Sequence, residues 1–322
     1  MVKIGILGGA DIAYRMFLPA LQETEGAVCS LIASRQLERR SVFEKNFGVR
    51  TVEDYDIVLN SPEIDVVYIP LPPALHYQWA KKALECGKHV FLEKPSTTSY
   101  SQTQELVEIA HEKHLVLQEN YMFQFHRQIK QIFTMIDNGI IGDVRLYRAS
   151  FGFPLRQKGD FRYSKRLGGG ALLDAGGYVT KLASLCLGDM IKVKAACLNY
   201  EQGYDVDMYG NVTFENDKRN VVQGSFSLDC YYQCALEVWG NKGKLFTNRI
   251  FTAPPGYSPS VKIETGEGEN VIQLEPDNHF KHSIEEFLQA MKNEDLRRIM
   301  AIQMKKQSEL IDEIRRKAND TL

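Results

Sequence analysis

Over the first 118 positions, apolar residues fall into short blocks separated by amphipathic stretches. Val2–Leu7, Val28–Ala33, Asp65–Pro70, Val90–Leu92 and Leu115–Gln118 are apolar runs of strand length. Such runs read as strands buried on both faces. Between them, Leu37–Asn46, Tyr77–Cys86 and Ser101–His114 carry helical spacing, and a short element lies near Asp54–Leu59. A further helix runs from the turn after Leu7 to about Glu23. Strands alternating with helices predict a parallel sheet wound on both sides. The segment Glu119–Phe125 reads as a linker, and the pattern then changes. Helix Gln128–Ile136 and strand Asp143–Gly152 are followed by a glycine-rich helical stretch. Met190–Asn199, Tyr209–Phe214, Asn220–Leu228, Ala235–Trp239 and Lys244–Thr247 then largely alternate apolar with polar residues, as half-buried antiparallel strands do. Ala253–Pro259 holds three prolines and reads as an exposed loop. Helices Phe280–Met291 and Met300–Arg315 complete the pattern.

At 322 residues, two domains are expected, divided as 1–122 and 123–322. A net charge of −2 without long runs of one sign argues against nucleic acid or an anionic membrane as partner. The opening apolar run is too short for a signal-peptide core, and no stretch is long enough to span a bilayer. The six cysteines show no C-x-x-C spacing and mostly sit among apolar residues, which reads as reduced core cysteine in a cytoplasmic protein. No metal site is expected.

Three stretches carry candidate chemistry. Gly8-Gly9-Ala10-Asp11-Ile12-Ala13 follows a strand and opens a helix, with small residues where a backbone must approach a pyrophosphate. At the end of the second strand, where an acid would hold the ribose hydroxyls of NAD, stand Ser34 and Arg35, with Arg39 and Arg40 one turn on. A hydroxyl and a guanidinium fork suit a ribose phosphate, so NADP is the expected cofactor and NAD the alternative. Glu93-Lys94-Pro95 closes a buried strand at the edge where open α/β sheets bind ligands. The third stretch is Gly168–Tyr178, followed by Lys181. Asp174, Tyr178 and Lys181 are spaced to share one helix face within a Leu- and Ala-rich segment.

The glycine-rich start, the Ile69-Pro70-Leu71-Pro72-x-x-Leu75-His76 turn and Glu93-Lys94-Pro95 together resemble the Gfo/Idh/MocA oxidoreductases. Pro73 stands where many members have Asn. The resemblance implies an α/β protein: an N-terminal Rossmann domain, then a C-terminal α/β domain with a large, mostly antiparallel open-faced sheet that bears the substrate site and often the oligomer contact. It implies cofactor contacts from Gly8, Gly9, Ala10, Asp11, Ile12, Ser34, Arg35, Arg39, Leu71, Pro72, His76, Glu93 and Lys94. Substrate contacts are implied for Asn120, Arg162 and Lys181. Tyr178 occupies a position where many members carry His, which is similar to the dihydrodiol dehydrogenases and the nucleotide-sugar ketoreductases. Taken with Gln118–Phe123, Phe151-Gly152-Phe153-Pro154 and Gly159–Tyr163, the series looks most like the NDP-hexose 3-ketoreductases. Lys181 replaces the Asp of inositol-type members, which weighs against a polyol dehydrogenase.

The expected chemistry is hydride transfer between nicotinamide and a sugar carbon. Lys94, Tyr178 and Asp174 are the catalytic candidates, with a sugar or nucleotide-sugar as substrate. The alternatives are a free-sugar or trans-diol dehydrogenase and a non-catalytic sensor that binds NAD(P) and sugar. A homo-oligomer is expected, joined through apolar positions such as Phe226 and Leu228 or their neighbours on the outer face of the large sheet.

Overall fold

The computed structural model describes residues 1–319. It divides into two compact units: Met1–Asn120 with Phe280–Ser308, and Tyr121–His279 with the chain from Glu309 on. No described helix is long and apolar enough to cross a membrane.

The first unit is built on a six-stranded sheet. In chain order its elements are β1 (Val2–Leu7), α1 (Leu18–Gln22), β2 (Ala27–Ala33), α2 (Leu37–Phe47), β3 (Thr51–Val52), α3 (Tyr55–Leu59), β4 (Val66–Ile69), α4 (Pro73–Glu85), β5 (His89–Glu93), α5 (Tyr100–Glu112) and β6 (Leu117–Asn120). A π-helical segment, Ala13–Phe17, leads into α1. The strand order is β3-β2-β1-β4-β5-β6, all parallel, so the winding reverses between β1 and β4. That reversal opens a crevice at the carboxyl ends of the strands. Phe17 stacks on Tyr68 at 3.9 Å, and both meet Phe91.

Two boundaries differ from expectation, each for a local reason. Helix α4 starts at Pro73, four residues before the expected Tyr77. A proline fits the first helical position, where its missing N–H has no partner to lose. Strand β6 runs on to Asn120, so Glu119 and Asn120 are ladder residues paired with Leu92 and Glu93.

The second unit contains α6 (Arg127–Asp137), β7 (Val144–Gly152), a π-helical turn (Leu172–Gly176) that continues as α7 (Gly177–Leu187), and strands β8 (Lys192–Tyr200), β9 (Asp207–Glu215), β10 (Val221–Ser227), β11 (Gln233–Gly240) and β12 (Gly243–Asn248). A hairpin of β13 (Ser260–Thr265) and β14 (Gly268–Gln273) extends the sheet. The polar, exposed Gly268–Gln273 gives little periodic signal, and the sequence pattern did not announce it. The eight strands run β14-β13-β12-β11-β7-β10-β9-β8, antiparallel except for the β7–β10 pair. The Rossmann sheet and the large, mostly antiparallel sheet are thus as the sequence predicts.

Phe226 and Leu228 do not lie on the outer face of this sheet. They are 2% and 0% exposed, and Phe226 packs beneath Gly176 on the helix-covered side. Period-two alternation had separated the two faces correctly; which face the helix covers is a packing outcome. The outer positions are Arg148, Glu237, Trp239 and Phe246, with Trp239 and Phe246 exposed and Arg148 paired to Glu237 at 3.6 Å.

Helices α8 (His279–Ala290) and α9 (Glu294–Asn319) end the chain. Phe287 of α8 packs on Phe91 of β5, within the first unit. All six cysteines are free thiols; only Cys234 is buried, and Cys86 and Cys197 are exposed, so the expected core placement holds for one of them alone.

Candidate functional site

In the first unit, the chemistry converges on the exits of β1, β4 and β5. Gly8 turns the chain after β1 at φ 103°, where a side chain would be strained and would also strike Leu71. Gly9 lies against Ser34 and Arg39, leaving no room for a Cβ. Gly8, Gly9, Ser34, Arg39 and Leu71 are therefore brought together as a glycine cradle beside a basic edge. Ala10 accepts from the N–H groups of Ala13 and Tyr14, while Asp11 and Ile12 open the helix. The Arg39 guanidinium pairs with Asp11. Arg35 lies 5.9 Å from the centre of the Tyr55 ring. Arg40, expected with Arg39 one turn past Ser34-Arg35, donates to the Ser34 carbonyl at 2.8 Å.

Along Phe91–Thr97, Lys94 alone is not buried. Its neighbours are pinned on both sides. Glu93 Oε1 accepts from Tyr68 Oη at 2.9 Å and Asn120 Nδ2 at 2.8 Å. The Ser96 N–H donates to Glu119 Oε1 at 2.6 Å. The Lys94–Pro95 peptide is cis. Asn120 also accepts from Ser283 Oγ at 2.8 Å. One end of its side chain braces Glu93, the other takes the Ser283 hydroxyl, and the residue is 0% exposed.

His76 is likewise internal. Its Nδ1 lies 2.7 Å from the Pro95 carbonyl and its Nε2 2.7 Å from the Leu71 carbonyl, and the ring is fully buried. Burial pushes its pKa down to about 4, against the pull of those two carbonyls. At neutral pH the ring therefore carries one proton and donates to one of them. It ties the Leu71 and Pro95 turns together through its two ring nitrogens.

Burial raises the Glu93 pKa, with the Asn120 and Tyr68 hydrogen bonds and Lys94 opposing. A carboxyl whose folded pKa is raised loses stabilisation as pH climbs through that value. Glu93→Gln keeps the Oε1 acceptor and removes the charge. Its thermal midpoint should match that of the wild type near about pH 4 and exceed it near about pH 8. Equal midpoints at both pH values would show that the opposing groups cancel the burial.

In the second unit, the glycine stretch fixes the start of the catalytic-candidate helix. Gly170, at φ 114°, packs against Asp207, whose Oδ2 accepts from the Leu172 N–H at 2.6 Å. Arg162 Nε donates to Asp174 Oδ2 at 2.6 Å, and its Nη1 reaches Asp160 Oδ1 at 3.1 Å. These two carboxylates hold the Arg162 pKa above its ordinary value despite burial. Asp174 is thus a fixed carboxylate clamped by an arginine, not a free base. Asp160 and Asp207, which hold the other sides of this arrangement, were not among the sequence candidates.

Asp174, Tyr178 and Lys181 are 8%, 5% and 5% exposed, so the helix face they share is not a solvated one. The Tyr178 ring sits among Phe151 at 4.9 Å, Tyr121 at 5.3 Å, and Phe123 and Phe251 at 5.8 Å. Its hydroxyl contacts Met122 Sδ at 3.4 Å. Among the described residues no cluster of His, Cys, Asp or Glu is arranged to hold a metal ion.

Comparison with known proteins gives this architecture a family. The model for the oxidoreductase family with an NAD-binding Rossmann fold matches residues 2–121, and that for the family's C-terminal domain matches residues 129–246. The chain is 38% identical over 319 residues to a dTDP-3,4-didehydro-2,6-dideoxy-alpha-D-glucose 3-reductase of Actinomadura kijaniata, covering 99% of this chain and 96% of that protein. A reductase of the same description from Streptomyces violaceoruber is 36% identical, again over 99% and 96% of the two chains. The solved structure of a 3-ketoreductase from Actinomadura kijaniata, in complex with NADP and TDP-benzene, superposes with a TM-score of 0.95 at 38% identity, covering 98% of this chain and 97% of that one. Two consecutive domain matches and similarity along nearly the whole length lead to one assignment: this chain belongs to the Gfo/Idh/MocA family of oxidoreductases.

Proposed function

We propose that the protein is an NADPH-dependent reductase of a nucleotide-linked keto-deoxyhexose. The observation that carries this reading is Lys94, the one accessible side chain at a strand exit otherwise locked by Glu93, Ser96 and buried hydrogen bonds. Such a frame pre-organises a cation. The full-length similarity to dTDP-sugar 3-reductases supplies the substrate class.

Residues 1–122 are assigned to dinucleotide binding and the remainder to substrate binding and oligomer contact. The turn at Gly8 and Gly9, where a Cβ would strike Leu71 or Arg39, is assigned to the cofactor's pyrophosphate, since small residues there let the backbone approach it. When bound, NADPH supplies the hydride. Ser34 and Arg35 are assigned to its ribose phosphate. Arg35→Ala should erase most of a preference for NADPH over NADH in fluorescence titrations; tighter NADH binding by the wild type would exclude the assignment.

As a substrate carbonyl is reduced, its oxygen becomes basic and needs a proton and a counter-charge. Tyr178, whose phenol hydroxyl can donate a proton, is assigned as donor. Lys94 stabilises the developing alkoxide. Asp174, clamped by Arg162, gives a sugar hydroxyl a fixed acceptor. The reading is tested by supplying purified protein with NADPH and a dTDP-linked 3-keto-deoxyhexose and following NADPH absorbance. No oxidation with this or any related keto-sugar overturns it.

The exposed Trp239 and Phe246 on the outer sheet face support a homo-oligomer joined there. Sedimentation should give a species larger than 36.7 kDa that Trp239→Lys shifts toward monomer; a monomeric wild type rejects this.

A further inference from the structure

Met122 carries none of the roles assigned above, yet it meets the hydroxyl of Tyr178. Its Sδ accepts from Tyr178 Oη at 3.4 Å. Both residues belong to the second unit and are nearly closed to solvent, at 8% and 5% exposed.

Three consecutive residues wrap the phenol. Tyr121 and Phe123 set their rings against the Tyr178 ring at 5.3 Å and 5.8 Å, and Met122 between them takes the hydroxyl. The backbone holds this arrangement. Met122 opens the 3-10 turn Met122–Phe125, where the Gln124 N–H donates to the Tyr121 carbonyl at 3.3 Å and the His126 N–H to the Phe123 carbonyl at 3.1 Å. From the helix side, Gly177 has no room for a Cβ because the Tyr121 hydroxyl lies there. Tyr121 and Phe123 are fully buried, so the thioether between them is carried on a close-packed frame.

Packed rings fix the plane of the phenol, but they do not choose the direction of its O–H bond. Phe151, Phe123 and Phe251, which surround the ring, bring no lone pair to the hydroxyl. A hydroxyl hydrogen rotates to suit its acceptor, and Met122 supplies one. A thioether sulfur is a weak acceptor. That weakness suits a proton that must leave. A carbonyl in its place would compete for the proton, whereas sulfur gives way to a substrate oxygen on which negative charge is building.

We infer that Met122 is a positioning residue for proton transfer: its sulfur holds the Tyr178 O–H in one orientation and releases it to the substrate carbonyl oxygen. In that step the phenol O–H bond breaks and an O–H bond forms on the carbonyl oxygen, while the carbonyl carbon takes the hydride of NADPH. The phenolate left on Tyr178 regains its proton from water. Met122 makes and breaks no covalent bond. The inference rests on the assignment of Tyr178 as proton donor, so the test reads the two separately.

Steady-state kinetics with NADPH and a dTDP-linked 3-keto-deoxyhexose decide it. Met122→Leu nearly conserves volume and removes the acceptor. It should lower kcat by about two- to tenfold, the loss of one hydrogen bond. KM and NADPH affinity should stay within about twofold, which also reports that the variant is folded. The solvent deuterium isotope effect on kcat should rise, because proton transfer then limits more of the rate. Met122→Ile, also without sulfur, should behave alike and covers the case in which leucine disturbs the turn. In a Tyr178→Phe background there is no hydroxyl to orient, so Met122→Leu should change nothing further. An equal loss in both backgrounds means that Met122 acts by packing alone and overturns the inference. Unaltered kcat in both Met122 variants, with Tyr178→Phe impaired, overturns it while leaving the donor assignment intact. Normal turnover in Tyr178→Phe overturns the donor assignment, and the inference with it.

Discussion

Lys94→Ala is expected to lower turnover by about a hundredfold to a thousandfold, with little change in NADPH affinity. A cation that meets charge only as the carbonyl oxygen becomes an alkoxide acts on the transition state and hardly on the ground state. The loss should therefore appear in kcat and kcat/KM together. Tyr178→Phe removes one hydroxyl and keeps the ring against Phe151, Tyr121, Phe123 and Phe251. If that hydroxyl is the proton donor, turnover falls by about a hundredfold to ten-thousandfold with the fold intact. Stopped-flow and steady-state assays with the keto-sugar measure both. Near-normal turnover in Tyr178→Phe would pass the donor role to Lys94 or to a water held by Asp174. If neither variant is impaired, the catalytic assignment of these residues is wrong.

The second large effect concerns the Arg162 clamp. Its side chain is 19% exposed, and it neutralises Asp174 at 2.6 Å and Asp160 at 3.1 Å, whose side chains are 10% and 20% exposed. Arg162→Leu keeps bulk and removes the guanidinium that both largely buried carboxylates share. Removing one partner of a buried ion pair costs about 3–5 kcal/mol, because the charge left behind is desolvated and uncompensated. The residual exposure of this site places the expectation near the lower figure. Urea denaturation should show an earlier midpoint, and adding Asp174→Asn should recover part of the loss by removing one of the two carboxylate charges. A single variant with an unshifted midpoint would mean that solvent already neutralises the pair.

By itself, the sequence determined the elements and the places where chemistry could sit. Apolar strand-length runs alternating with helices dictate a wound parallel sheet, and Gly8 must turn the chain where no Cβ fits. Glu93-Lys94-Pro95 falls at the exit of β5 because a strand's length sets its end. Period-two and period-3.6 patterns are local, so they can be read from neighbours in the chain. Tertiary structure decided everything that depends on a distant partner. That Asn120 engages Glu93 and Ser283, and His76 the Pro95 and Leu71 carbonyls, could not be read from their polarity alone. Asp174 becomes a clamped carboxylate only when the 3-10 turn Phe161–Tyr163 carries Arg162 to it. Phe226 and Leu228 alternate correctly but face inward, since α7 covers that side of the sheet. Phe280–Ser308 joins the first unit because Phe287 finds Phe91, nearly two hundred residues earlier in the chain. A hydrogen bond or ring contact across such a separation leaves no periodic trace at either end, so only the folded chain reveals it.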